Sequence, residues 1–193
     1  MEKLPVSAIV VGRNDGSFLQ NCLSKLSFCD ELIYVDLEST DDSLSIAVAN
    51  GAVVVHHPVV PIVEIVHASI SNQTKHHIIL ITDPDEILDV ELIRQIPSLI
   101  KLLNNDTNRY AAAYVPMINY FNGKRLKGTI WGGNYLGRTT LVNKNRFLFT
   151  PYVHNGRIPK DGFELYHVPR KNGNAVHHYW AQVKKQLLQK HRR

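Results

Sequence analysis

The sequence predicts an α/β protein in which a mostly parallel sheet flanked by helices is followed by a β-rich distal half and a C-terminal helix. Short apolar runs alternate with amphipathic segments of helical length as far as Leu103, which is the pattern of βαβ units. After Asn108, β-branched and aromatic residues become frequent, and Asn122-Gly123 is a strong hairpin signal. The last fifteen or so residues are good helix formers.

The first half is predicted to contain four strands, each a short apolar run that ends in a turn or an acid. These strands are Ser7–Gly12, Glu31–Asp36, Ala52–His56 and Ile78–Thr82. The segments between them carry apolar residues at helical spacing, and Asp15 or Ser17 is expected to cap the first helix. The helices are predicted at Phe18–Leu26, Leu44–Val48, Ile62–Gln73 and Val90–Leu103, with Pro97 dividing the last of them.

The distal half is predicted to contain further short strands, with a loop at Trp131-Gly132-Gly133. These strands are Tyr110–Tyr120, Tyr135–Val142, Arg146–Phe149 and Glu164–Val168. A basic helix is predicted over Tyr179–Arg193, and because it stops without a cap or turn we expect a longer protein to have been cut there. We therefore expect one domain over residues 1–193, divided into a parallel half at 1–106, a β-rich half at 107–178 and the terminal helix at 179–193.

Composition excludes several classes of protein. The chain has 22 Lys and Arg against 17 Asp and Glu, a net charge of +5 that suits anionic partners such as nucleotide phosphates without selecting one. No apolar run approaches the ~20 residues that span a bilayer, and the N-terminus lacks a signal-peptide pattern. Cys22 and Cys29 have no metal-ligand spacing, so we expect reduced core thiols in a cytoplasmic protein.

Polar residues follow three of the four predicted parallel strands. Arg13-Asn14-Asp15 follows the first, Asp36 with Glu38–Asp42 the second, and Asp83-Pro84-Asp85-Glu86 the fourth. Because parallel strands end at one edge, these loops should converge where open α/β sheets bind ligands. Asp83 and Asp85 are two residues apart, and two carboxylates at this spacing can share Mg²⁺ or Mn²⁺ and so clamp a diphosphate. Alternatively, the same turn could simply cap the next helix. The first turn lacks the GxGxxG of dinucleotide-binding domains.

Residues 6–90 resemble a family 2 glycosyltransferase of GT-A type, in particular the small enzymes that build lipopolysaccharide cores and other surface glycans. The segments that carry this resemblance are VSAIVVGRNDGSFLQ, VDLESTDD and DPDEIL, which match in order and spacing. The resemblance implies a GT-A fold and an inverting, metal-dependent hexosyltransferase-like activity. The donor would be a nucleotide-diphosphate sugar, which we expect to be a UDP-sugar, and the acceptor a hydroxyl of a glycan or lipid-linked glycan.

The resemblance also implies roles for residues at the nucleotide end of the site. Asp36 would contact the base or ribose, with Arg13, Asn14 and Glu38 lining the same donor site. Asp41 is expected to cap the helix that follows its turn rather than to touch the ligand. Family members usually have small residues where this chain has Leu37-Glu38, and a polar pair such as Arg-Asn where it has His67-Ala68.

At the metal end, Asp83 and Asp85 would hold Mn²⁺ or Mg²⁺, with Asp85 the more direct ligand. His154 is a candidate third ligand or a structural histidine, and the pair His177-His178 has the same two interpretations. Arg138 is expected to meet the acceptor or a phosphate, or to form a surface salt bridge.

The catalytic base is not identified by the sequence. Family members use a carboxylate to deprotonate the acceptor, but Asn155 replaces the acid of a V-H-E segment found in relatives. Asp161 and Glu164 are the remaining late candidates for the base. Glu86 is a candidate for holding the donor sugar or the acceptor hydroxyl, or for complementing the charge of the next helix N-terminus.

These departures leave a second function open, a degenerate GT-A domain that binds nucleotide or glycan without turnover. Glu38, Ala68 and Asn155 motivate this alternative. The basic C-terminal helix could lie peripherally on an anionic membrane surface, or it could be a solvated helix end. We expect no nucleic-acid partner.

Overall fold

The computed structural model describes residues 2–127, 137–152, 157–171 and 173–181. The predicted helix over 182–193 and the loop at Trp131-Gly132-Gly133 lie outside these residues. The helices are α1 Gly16–Lys25, α2 Ser43–Ala49, α3 Val63–Ile70 with a 3₁₀ turn at Ser71–Gln73, and α4 Val90–Asn104. The strands are β1 Leu4–Gly12, β2 Cys29–Asp36, β3 Val53–His56, β4 Ile78–Thr82, β5 Glu86–Leu88, β6 Tyr110–Phe121, β7 Lys124–Arg125, β8 Gly137–Asn143, β9 Phe147–Phe149, β10 Arg157–Pro159, β11 Glu164–His167 and β12 Val176–Ala181.

The first four strands form the parallel half of the sheet, as predicted, and their order is β3-β2-β1-β4. Helices cover both faces of this half, which explains why its strands are continuous apolar runs. Residues Val6, Ala8 and Val10 of β1 face a core shared with α1, α2 and α4, and Ile9 and Val11 face a second core that contains α3. The alternation of side chains along one strand therefore builds two cores from a single run.

Most of the distal strands extend the same sheet, whereas β9 and β10 pair with each other in a separate two-stranded sheet. Strand β8 pairs antiparallel with β4, β6 antiparallel with β8, β12 parallel with β6, and β5 antiparallel with β12. The predicted hairpin at Asn122-Gly123 is confirmed, because Tyr120 pairs with Arg125 and both turn residues have positive φ, 47° and 69°. Positive φ at both positions defines the two-residue turn that this dipeptide favours.

Apart from shifts of a few residues at strand and helix ends, three features differ from the prediction. Residues 179–181 are part of β12 and not of a helix, because their strand is paired with both β5 and β6. Pro97 does not divide α4, since the loss of one backbone hydrogen bond is offset by the buried face of the helix. Strand β5, directly after the acidic turn, was not predicted at all. Among the described residues, none of the helices is both long and apolar enough to cross a bilayer.

Candidate active site

The candidate site lies at the edge where the parallel strands end. Gly12 is in register with Asp36 and Asp36 with His56, so the ends of β1, β2 and β3 are level, while β4 ends with Thr82 opposite Val10 of β1. The loops that follow β1 and β2 and the turn that follows β4 therefore meet at one edge, as the sequence predicted.

The loops after β1 and β2 are joined by side-chain hydrogen bonds. Asn14 has a φ of 56° and donates its backbone N–H to Ser39 Oγ at 3.0 Å, while Asn14 Oδ1 accepts from the N–H of Thr40 at 2.7 Å. Asp36 is 2% exposed, and its carboxylate accepts the backbone N–H of Ser39 at 3.2 Å. Asparagine adopts this left-handed conformation more readily than most residues. The two loops are thus held as one rigid wall, with exposed Arg13 and Glu38 beside it.

Asp41 links the starts of two helices. Its carboxylate accepts the backbone N–H of Gly16, in the first turn of α1, and that of Ser43, in the first turn of α2, each at 3.0 Å. Burial opposes ionisation, but these hydrogen bonds and the Ser43 hydroxyl lower the pKa of Asp41. The expected capping role of Asp41 is confirmed. Asp15 occupies the N-cap position of α1, but its side chain accepts the N–H of Arg13 at 2.9 Å instead of capping the helix.

Gly12 allows the acidic turn to pack onto the end of β1. A Cβ added at Gly12 would lie 2.8 Å from Pro84 Cγ and 2.9 Å from Asp15 Oδ2. Contacts this short are not tolerated by real side chains, so the position requires glycine. Pro84 therefore rests on the backbone of β1, which brings the acidic turn against the loop that follows β1.

A buried ion-pair network holds the acidic turn. Glu86 is 1% exposed and accepts the Thr82 hydroxyl at 3.1 Å and the backbone N–H of Asp83 at 2.9 Å. Arg138, at the start of β8, pairs through Nη1 with Glu86 and lies 3.3 Å from Asp83 Oδ2. The Arg138 side chain is only 9% exposed, so it is a buried bridge between two acids and not a surface salt bridge.

This network sets the charges of the acids. Burial raises the pKa of Asp83, but the guanidinium groups of Arg138 and Arg157 outweigh burial and lower it to about 2. Burial raises the pKa of Glu86, while Arg138 opposes that rise and Asp83 adds to it. Burial also disfavours the charge on Arg138, but Glu86 and Asp83 raise the pKa of its guanidinium. Asp83 is consequently an ionised carboxylate at neutral pH.

The second acid of the turn is held by β12. His178 Nε2 lies 3.6 Å from Asp85 Oδ1, and its Nδ1 lies 2.9 Å from Asn119 Oδ1. Burial lowers the pKa of His178, but the hydrogen bond and charge of Asp85 raise it above its ordinary value. The neighbouring His177 faces away, since its Nε2 lies 2.9 Å from Asp89 Oδ2. Of the two histidines, His178 alone faces the acidic turn.

The chemistry of the two carboxylates fits a hard divalent cation. In the described ranges, no three His, Cys, Asp or Glu side chains are grouped so that they could hold a metal by themselves. Mg²⁺ is commonly bound through one or two carboxylates, with phosphate oxygens and waters completing its shell. Asp83 and Asp85 meet that requirement. The candidate ligand His154, like Asn155, lies outside the described residues.

The acids expected to serve as base are not brought to this edge. Strand β6 runs in the same direction as β4, because both are antiparallel to β8. Glu164 pairs with Tyr110 at the start of β6, which is the opposite end of the sheet. Exposed Asp161 follows Lys160, whose N–H is bonded to Arg146 O at that same end. The sequence did not show at which end of the sheet Glu164 lies, because that depends on the parallel pairing of β11 with β6.

Two residues near Asp83 were missed or undervalued by the sequence reasoning. His67, on α3, is 1% exposed, and Arg157 lies at the start of β10. Both interact electrostatically with Asp83. No local pattern marks Arg157, since it is brought here by the pairing of β9 with β10.

Comparisons with known proteins identify the fold. No protein-family model matches the sequence. The structure is similar to the mannosyltransferase PcManGT from Pyrobaculum calidifontis, solved with GDP-Man and Mn²⁺, with a TM-score of 0.50 and 17% identity over 60% of this chain and 36% of that one. It is also similar to S. aureus TarS 1–349, with a TM-score of 0.62 and 15% identity over 91% of this chain and 60% of that one.

A glucosyl-3-phosphoglycerate synthase from Mycobacterium tuberculosis, solved with Mg²⁺ and UDP, matches with a TM-score of 0.44 and 24% identity over 61% of this chain and 44% of that one. The chain thus spans between 36% and 60% of the length of these three structures. The predicted fold class is confirmed: the chain has the GT-A-type fold of nucleotide-sugar glycosyltransferases.

Proposed function

We propose that the chain is the donor-binding and catalytic part of a metal-dependent glycosyltransferase that moves a sugar from a nucleotide-diphosphate sugar to a hydroxyl. The observation that carries this proposal is the meeting, at one sheet edge, of the Asn14–Asp36 wall and the Asp83–Asp85 turn. The same fold in PcManGT accommodates GDP-Man and Mn²⁺, which supports a nucleotide sugar and a divalent cation here.

At the nucleotide end, Asp36 accepts hydrogen bonds from the ribose or the base. Its carboxylate is fixed by the backbone N–H of Ser39, so a ligand would meet a preorganised acceptor. Asn14 keeps the wall in place, and exposed Arg13 and Glu38 line the approach to it. We expect a uracil nucleotide as the donor.

At the diphosphate end, Asp83 and Asp85 hold Mn²⁺ or Mg²⁺. Such a cation offsets the negative charge that builds on the departing diphosphate. Arg138 fixes the position of Asp83, and Glu86 in turn holds Arg138, so Glu86 supports the site instead of holding the donor sugar or the acceptor hydroxyl. His178 orients Asp85 from β12.

The transfer proceeds by direct attack of an acceptor hydroxyl on the anomeric carbon, with inversion, as expected of family 2. The acceptor belongs to a surface glycan such as a lipopolysaccharide core, free or lipid-linked. A carboxylate must act as general base and take the acceptor proton during this attack. We assign that role to none of the described acids.

A second function, nucleotide-sugar binding without turnover, is favoured by one observation. Asp161 and Glu164, the acids expected as base, lie at the opposite edge of the sheet. A domain with a complete donor site and no base would bind donor without transferring its sugar.

One experiment separates these functions. Wild type and Asp85→Asn are incubated with UDP- and GDP-sugars and Mn²⁺, while donor hydrolysis and binding heat are followed in parallel. We expect metal-dependent turnover in wild type and at least a hundred-fold loss in Asp85→Asn, with Asp106→Asn as the control because that carboxylate is 97% exposed. Binding without product would favour the binding module. The absence of both binding and product would reject both functions.

A further inference from the structure

Buried nitrogen atoms without partners are concentrated beside Asp83. Within the described part of the chain, six buried side-chain nitrogen or oxygen atoms have no hydrogen-bond partner. Four of the six belong to three residues, namely both ring nitrogens of His67, Nε of Arg138 and Nη1 of Arg157. These residues come from α3, β8 and β10, and each interacts electrostatically with Asp83. Buried polar groups of folded proteins are nearly always hydrogen-bonded, so such a concentration calls for an external partner.

The partner must supply oxygen acceptors and negative charge. Burial, helped by the charge of Arg157, lowers the pKa of His67 to about 3, so this ring is neutral and adds no charge. Arg138 is already neutralised by Glu86 and Asp83. Arg157 is in none of the ion pairs of 4 Å or less among the described residues, and its Nη1 has no hydrogen-bond partner. Asp83, Glu64 and Glu86 act on its charge, while burial and the like charge of Arg138 lower the pKa of its guanidinium. Arg157 is therefore the cation of this cluster that has no direct carboxylate partner.

The backbone of Arg157 is held by the pairing of β10 with β9. Arg157 is in register with Phe149 of β9, and Phe147 and Phe149 both pack into the core that contains α3. A guanidinium fixed on a strand loses little freedom when it binds, and its planar fork matches two phosphate oxygens.

We propose that Arg157 binds the diphosphate of the donor at the acidic turn. This inference rests on the proposed function, since it takes the ligand at Asp83 to be a nucleoside diphosphate. The diphosphate is the anion that a cation at Asp83 and Asp85 would bring to this position. Arg157 would meet the charge that grows on the leaving group as the sugar departs, with a hydrogen-bonding geometry that a point charge does not provide.

The test measures binding and does not depend on turnover. Titration calorimetry in Mg²⁺ compares pyrophosphate, UDP, GDP and UMP on wild type, Arg157→Gln, Arg157→Lys and the exposed control Arg94→Gln. We expect Arg157→Gln to weaken pyrophosphate and the preferred nucleoside diphosphate at least ten-fold and UMP much less. Arg157→Lys should lie between, because lysine keeps the charge without the fork, and Arg94→Gln should match wild type.

The outcomes separate this inference from the proposed function. If wild type binds a nucleoside diphosphate and Arg157→Gln binds it equally well, Arg157 is satisfied by water and the inference is overturned while the function stands. An equal loss for UMP and UDP also overturns it, since the contact would not be to the second phosphate. If wild type binds none of the probes, the function and the inference fail together. Far-UV circular dichroism of both Arg157 variants confirms that they are folded.

Discussion

Replacing Arg138 with methionine should destabilise the protein strongly, because it leaves a buried carboxylate without its ion-pair partner. Glu86 is 1% exposed and would lose its guanidinium partner. Removing one member of a buried pair costs about 3–5 kcal/mol. The Asp83 side chain is 37% exposed, so its share is screened by solvent and we expect the lower end, about 3 kcal/mol. In a chain of this size that corresponds to a fall in Tm of about 6–12 °C.

The loss of stability in Arg138→Met should depend on pH. Burial already raises the pKa of Glu86, and without Arg138 it rises further. A folded-state pKa above the unfolded value of about 4.3 favours protonated Glu86, so stability falls as pH rises through the folded pKa. In wild type, the pKa of Asp83 is lowered to about 2, so its contribution is present above the unfolded pKa and is lost as pH falls towards 2. The free energies of unfolding of wild type and Arg138→Met should therefore converge as the pH falls.

Urea unfolding followed by far-UV circular dichroism between pH 4 and 8 measures both effects. Arg94→Gln is the matched control, because Arg94 and Glu91 form a pair that is 68% and 50% exposed and should contribute less than about 1 kcal/mol. The double variant Arg138→Met, Glu86→Gln should recover most of the loss, since glutamine still accepts from Thr82 and Asp83. The reasoning is refuted if Arg138→Met unfolds at the same urea concentration as Arg94→Gln. It is also refuted if the loss of stability in Arg138→Met is larger in acid than at neutral pH.

Two further substitutions test the frame of the site by thermal unfolding. Gly12→Ala should lower the free energy of unfolding by about 1–3 kcal/mol, because its Cβ would collide with Pro84 and Asp15. An unchanged Tm would contradict the proposed packing of the acidic turn on β1. Asp41→Ala should cost about 1–2 kcal/mol, since two helix N-termini lose their acceptor. Asp42→Ala is its control, because Asp42 makes no capping hydrogen bond to α2, and equal losses would remove the special role of Asp41.

The parallel half could be predicted because its information is local. Each strand is an apolar run closed by a turn residue or an acid, and strands of this kind have few alternatives once helices separate them. The same locality made Asp36, Asp83 and Asp85 predictable as neighbours, because parallel strands share an edge. The hairpin at Asn122-Gly123 was equally predictable, since two residues determine its geometry.

The distal half could not be predicted to the same extent, because long-range pairing decides it. Tyr179–Ala181 was predicted to begin a helix, but it continues β12, whose pairing with β6 extends to Ala181. Glu164 was a plausible base until its pairing with Tyr110 fixed it at the far edge. Arg157 had no motif, and its place beside Asp83 follows from a ribbon that its own segment forms with β9.

The strand order also determines when the acidic turn can form during synthesis of the chain. It joins β4, in the parallel half, to β5, which lies beyond β8, β6 and β12 in the strand order. Strand β5 is paired with β12, a segment made much later in synthesis. Contacts between distant segments form slowly, because their loop must close first. A nascent chain can therefore build β1–β4 early, yet β5 has no partner and Asp85 lacks His178 until Val176–Ala181 has emerged and docked. The candidate site is among the last parts of the sheet to mature.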